Sequence, residues 1–149
     1  MKQRFIRIVS GLLVAIALST APAYAVMTDA GKAARAGLTN GVGSISAFTY
    51  IALGTSGTTP AAGDTALGAE ISTNSLARAA ATCTRVTTSV SNDTSQWAYT
   101  WTASGASTVN EVGIFNASSA GTMLIHDLIG PITTANGFQL TVTCKVQNQ

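Results

Sequence analysis

The stretch GFQLTVTCKVQ, residues 137–147, decides how this chain reads. Phe138, Leu140, Val142, Cys144 and Val146 alternate without a break with Gln139, Thr141, Thr143, Lys145 and Gln147. Successive side chains of a strand point to opposite faces, so a period of two describes one buried and one wetted face. One-sided alternation of this kind belongs to antiparallel sheets. The rest of the chain can be tested against that pattern.

Working back toward the N-terminus, residues 96–103 put Trp97, Tyr99 and Trp101 on one face and Ala98, Thr100 and Thr102 on the other. Residues 109–116 and 122–128 read as two further strands. They follow the turn signals Ser104-Gly105-Ala106-Ser107 and Ala117-Ser118-Ser119-Ala120-Gly121, and Gly130-Pro131 breaks the second of them. A long strand over 76–90, with an interruption near Arg85, and a short one over 48–53 complete the set. Strands at this spacing, joined by hairpin-length turns, predict a mainly β fold: an antiparallel β-sandwich or a jelly-roll-like barrel. One short helix precedes it. Thr28-Asp29 before AGKAARAGL supplies an N-cap and helix-forming alanines, with an end near Leu38.

Residues 1–25 stand apart. Lys2, Arg4 and Arg7 precede an apolar run over 8–18, and Ala21-Pro22-Ala23-Tyr24-Ala25 ends in an A-x-A pattern. This is the layout of a secretory signal peptide cleaved after Ala25, with an apolar run too short for a comfortable membrane span. Met27, two residues further on, offers a rival start. The expected organisation is a leader over 1–25, a short helix and connection over 26–47, and a β-sandwich domain over 48–149.

Eight basic and six acidic residues give the whole chain a net charge of +2, but three of the basic ones lie in the leader. Residues 26–149 keep five (Lys32, Arg35, Arg78, Arg85, Lys145) against six acids, a balance of −1. Nucleic-acid binding by phosphate neutralisation is therefore not expected. Nor is a membrane partner once the leader is removed.

The stretch YIALGTSGTTPAAGDTALGAEI, residues 50–71, invites comparison with a phosphate-binding loop. A P-loop needs a lysine and a following helix, and a dinucleotide fingerprint needs a βαβ unit. Neither is present, so the stretch reads as a turn-rich connection bent by Pro60 and Gly63-Asp64. The single histidine, His126, has no G-x-S-x-G elbow to serve, and its neighbour Asp127 points to the opposite strand face. It reads as a surface or half-buried strand residue. Asp64 and Asp93 lack the D-x-[DN]-x-[DN]-G run of a calcium loop, and two cysteines with one histidine are too few for structural zinc. No catalytic residue, cofactor or metal is expected.

Three candidate constellations remain. Cys83 and Cys144 are an even pair that export would invite to form a disulfide, against the alternative of two small buried hydrophobes. Arg78 and Glu111 are charges in otherwise apolar or alanine-rich strands, and a cross-strand ion pair would satisfy both. The Trp97/Tyr99/Trp101 stripe is either core or subunit interface, or else an exposed platform for sugar stacking.

From Met27 onward the chain resembles a family of small bacteriophage and prophage structural proteins. The matching segments are MTDAGKAARAGLTNG, FTYIALGTSGTTPAAGDTALGAEI, LARAAATCTRV, VSNDTSQWAYTWTASGASTVNEVGIFNA, SAGTMLIHDLIGPI and NGFQLTVTCKVQ. The resemblance covers residues 27–149 and is one of ordered segments rather than of a catalytic motif. It implies a non-enzymatic virion component of the tail-fibre or head-decoration kind. Such a component assembles as a homo-oligomer with other virion proteins. The departure is the leader, which a protein assembled in the host cytoplasm does not need. The alternative is a secreted β-sandwich adhesin or carbohydrate-binding module, with the Trp stripe meeting a cell-surface glycan.

Overall fold

The structure, a computed structural model, describes residues 25–148. The leader expected over residues 1–25 lies outside the described residues except for Ala25. In chain order the elements are β1 (Val26–Met27), α1 (Asp29–Asn40), β2 (Tyr50–Gly54), β3 (Ala79–Ala80), β4 (Thr82–Val86), β5 (Thr94–Thr102), β6 (Ser107–Phe115), β7 (Met123–Thr134) and β8 (Gln139–Gln147). They form a five-stranded sheet in the order β1-β7-β6-β2-β3 and a three-stranded sheet in the order β4-β5-β8. Every pairing is antiparallel. The fold is mainly β with one short helix, as the alternation predicted.

The two sheets share one apolar interior. Ile51 and Leu53 of β2 and Val112 and Ile114 of β6 meet Trp97 and Trp101 of β5 and Leu140, Val142 and Cys144 of β8. Burying such side chains contributes about 1.5–3 kcal/mol each, which makes this layer the main source of stability. The larger sheet is also covered on its far face. There Tyr50 and Ala52, the alternate residues of β2, join Phe115, Met123 and Leu67 in a second cluster. Leu67 belongs to the long connection between β2 and β3, so that connection serves as a lid on the sheet.

Helix α1 starts where the sequence placed it. Thr28 is the N-cap, and its hydroxyl accepts from Gly31 N at 2.9 Å. The same hydroxyl donates to Met123 O, and Thr28 N donates to Leu124 O, which ties the helix start to β7. Gly31 is required by closeness. A Cβ there would lie 2.6 Å from Leu124 O. The helix runs two residues past Leu38 and ends on Gly41, whose positive φ closes the C-terminal turn.

Two strands depart from expectation. The long strand over 76–90 is split: Ala79–Ala80 pairs with β2, Ala81 N donates to Thr49 O, and Thr82–Val86 joins the other sheet. The chain changes sheets at Ala81, a choice that a local apolar pattern does not encode. Conversely, β7 runs through Gly130-Pro131, whose peptide bond is cis. The register between β6 and β7 slips here, between Val109 and Glu111. A proline that cannot donate is tolerated at such an irregularity.

Candidate functional site

The polar residues with most potential for chemistry meet on the far face of the larger sheet. Glu111 lies mid-β6, opposite Gly54 of β2 and Leu128 of β7, and is 0% exposed. Its neighbours Val112 and Ile114 belong to the shared core. Its carboxylate accepts from Ser56 N at 3.2 Å, Gly68 N at 3.0 Å and Ala69 N at 2.9 Å. His126 Nε2 completes the set at 2.7 Å.

His126 stands on β7 opposite Gly113 and is 3% exposed, while its Nδ1 lies 2.7 Å from Asp64 Oδ2. Asp64 Oδ2 also accepts from Ala61 N at 2.8 Å. That backbone donor first, and the His126 ring second, hold the Asp64 carboxyl below its ordinary value.

The arrangement is a clamp. Three backbone N–H groups of the connection and one of its acids are fastened to β6 and β7 through Glu111 and His126. Glu111 fits because its cross-strand neighbour is a glycine: a Cβ on Gly54 would overlap the carboxylate. Buried charge is tolerated only when paired and hydrogen-bonded, and here all the partners come from within the chain. Among the described residues, no group of three or more His, Cys, Asp or Glu is placed to hold a metal ion.

His126, read as a surface or half-buried residue, is thus buried at the centre of this clamp. The Arg78–Glu111 pair does not form, because Arg78 reaches β6 at Phe115, four residues along the strand, while Glu111 is taken by Ser56, Gly68, Ala69 and His126. Arg78 instead grips Glu70 with two bonds of 2.6 and 2.9 Å, donates to Ala117 O and Ala120 O, and stacks 3.6 Å over the Phe115 ring. It closes the other end of the same connection. The sequence had marked Glu111 as awkward but had no means of finding its partners.

The disulfide is also absent. Cys83 and Cys144 both stand opposite Trp97, on the two strands that flank β5. Two strand spacings separate their Cα atoms by about 9–10 Å, beyond the roughly 7 Å that a disulfide can span. Trp97 and Trp101 are buried and donate their indole N–H to Phe48 O at 2.6 Å and Ala77 O at 2.9 Å. Tyr99 packs edge-to-face on Trp101 at 4.8 Å. The two tryptophans are core, and Tyr99 packs against that core partly buried. Asp93 accepts first from Val90 N, then from Ser89 N and Thr88 N, in the β4–β5 turn, which holds its carboxyl well below the usual range.

The surface offers two hollows beside α1. One, of about 450 Å³, is lined by Arg35, Leu38, Phe48 and Leu124 among others. The other, of about 480 Å³, opens between β1 and the end of β8. No helix among the described residues is long and apolar enough to cross a membrane.

The fold is thus a two-sheet antiparallel sandwich in which Glu111, His126 and Asp64 hold a long connection in place. The chain belongs to the family of the podophage GP4 fiber I protein gp80, which matches residues 38–147. It is thus a phage structural protein of the fibre kind. No curated protein and no solved structure gives a significant match.

Proposed function

We propose that this protein is a non-catalytic subunit of a phage fibre, working by self-assembly into a homo-oligomer and by contact with other virion proteins. The observation that carries the reading is the extent of the family match. It runs from the last turn of α1 to the last residue of β8, so it spans almost the whole sandwich and not an isolated motif. The clamp supports a structural role, since Glu111, His126 and Asp64 satisfy one another and the backbone. A fibre position is preferred to head decoration on the family description alone. The glycan-binding reading loses its motivation, because the tryptophans that suggested it are buried.

Quantitative mass spectrometry of purified particles, together with light scattering on the recombinant protein, tests the proposal. A multiple-copy virion component that self-associates is expected. A protein absent from particles and monomeric at every concentration overturns it. The leader belongs to the same test. An N-terminus of virion-derived protein at Val26 supports cleavage of the leader after Ala25, and one at Met27 or Thr28 supports the internal start.

A further inference from the structure

The three-stranded sheet ends at β8, whose second edge pairs with no strand among the described residues. Phe138 O accepts from Ala103 N across to the β5 side. Hydrogen-bonding groups alternate sides along an antiparallel strand, so residues 140, 142, 144 and 146 turn theirs toward β5. Gln139, Thr141, Thr143, Lys145 and Gln147 therefore present backbone N–H and C=O groups outward. Among the described residues this is the longest terminal strand left with an unpaired edge. The other terminal strands, β1, β3 and β4, have two, two and five residues, and the part of β7 beyond β1 carries Pro131, which has no N–H to donate. An unpaired edge of this length recruits another strand unless something blunts it.

The strand also matches itself in reverse. Pairing two copies of β8 antiparallel about Thr143 sets Gln139 against Gln147, Leu140 against Val146, Thr141 against Lys145 and Val142 against Cys144. Glutamine meets glutamine and apolar meets apolar. The single charge of the strand, Lys145, faces a threonine, so no like charges are opposed. The side on which this edge lies is incompletely closed. Phe138 and Val146, with Met27 of β1 and Ile129 and Ile132 of β7, pack on the core yet stay only partly buried. The hollow between β1 and residues 145–147 leaves the end of the edge open to approach.

We infer that β8 is a self-association edge, whose occupant is β8 of a second copy of this chain in a two-fold antiparallel pair centred on Thr143. The pair fuses two three-stranded sheets into one of six strands, β4-β5-β8 followed by its symmetry mate. The inference rests on the self-assembly reading above and names the surface that would perform it.

Charge at position 141 tests it with a sign. Thr141 points to solvent and bonds only to the Thr100 hydroxyl, at 2.7 Å, so Thr141→Lys and Thr141→Glu lose the same intramolecular contact. Across the two-fold each places its charge opposite Lys145 of the second copy, twice per dimer. Thr141→Lys should weaken dimerisation about three- to tenfold and Thr141→Glu should strengthen it by a similar factor, both effects shrinking in high salt. In a Cys83→Ser background, Thr143→Cys should give a disulfide-linked dimer on oxidation, because the two-fold sets that residue against itself. Light scattering and a non-reducing gel read both results. A parent that assembles, with the two charge variants alike and no Thr143→Cys cross-link, overturns the β8 edge and leaves the fibre reading standing. A parent that is monomeric yet present in particles does the same. A parent that is monomeric and absent from particles overturns both.

Discussion

The two faces of β6 are built on opposite principles. Toward the smaller sheet it shows Val112 and Ile114, closed over by tryptophans and aliphatic side chains. Toward the long connection it shows Glu111, closed over by backbone N–H groups and a histidine. The apolar face tolerates many partners, because hydrophobic burial has no direction. The polar face tolerates one, because an orphaned buried carboxylate is expensive. The first face therefore sets how stable the sandwich is, and the second sets where one particular loop lies.

Substitutions on the two faces would sharpen or break this contrast. The largest effect is expected at Glu111. Glu111→Ala leaves three N–H groups and the His126 ring without their acceptor and should cost about 3–5 kcal/mol in urea denaturation. A loss below about 1 kcal/mol would mean that the clamp holds nothing. Ile114→Ala, one face away, should cost about 2–5 kcal/mol through the cavity it opens. Proteolysis separates the two: the Glu111 variant should be cut first within 55–69, the Ile114 variant only on global unfolding.

Gly54→Ala comes next, at about 1–3 kcal/mol, because its methyl group displaces the carboxylate in a filled site. Relief of that cost in a Gly54→Ala, Glu111→Ala double variant is the expected non-additivity. Equal and additive losses would place the strain elsewhere.

A smaller effect belongs to acid. Asp64 is held below its ordinary value in the folded protein, so the unfolded chain takes up its proton first as pH falls. Its contribution is complete above roughly pH 4, the unfolded carboxylate value, and is lost below it. Asp64→Asn should flatten that acid limb of a stability–pH curve. The flattening is partial, because Asp93 is depressed in the same direction. An unchanged curve would show that Asp64 is a bystander to the clamp. The smallest effect is expected from reductant. With Cys83 and Cys144 on either side of β5, dithiothreitol should leave the melting temperature unchanged.

What was legible follows the same division. The period of two in β8 and β5, the N-cap at Thr28 and the turns after β5 and β6 are local signals, and each appears in the structure close to its expected place. The strand change at Ala81 and the passage of β7 through Pro131 are not local. They depend on which strand lies alongside. Glu111 shows the boundary most plainly: its oddness was visible in one strand, but Arg78 was the wrong partner. The correct partners sit 15, 42, 43 and 55 residues away along the chain.

By itself, then, the sequence determined a β-rich chain with alternating faces and a capped helix in front, because propensity and periodicity act over a few residues. Only the tertiary structure decided that two tryptophans are core, that two cysteines stand a strand apart from bonding, and that a histidine between two acids pins the glycine-rich connection. Those outcomes depend on register, and register is set by the packing of whole strands against one another.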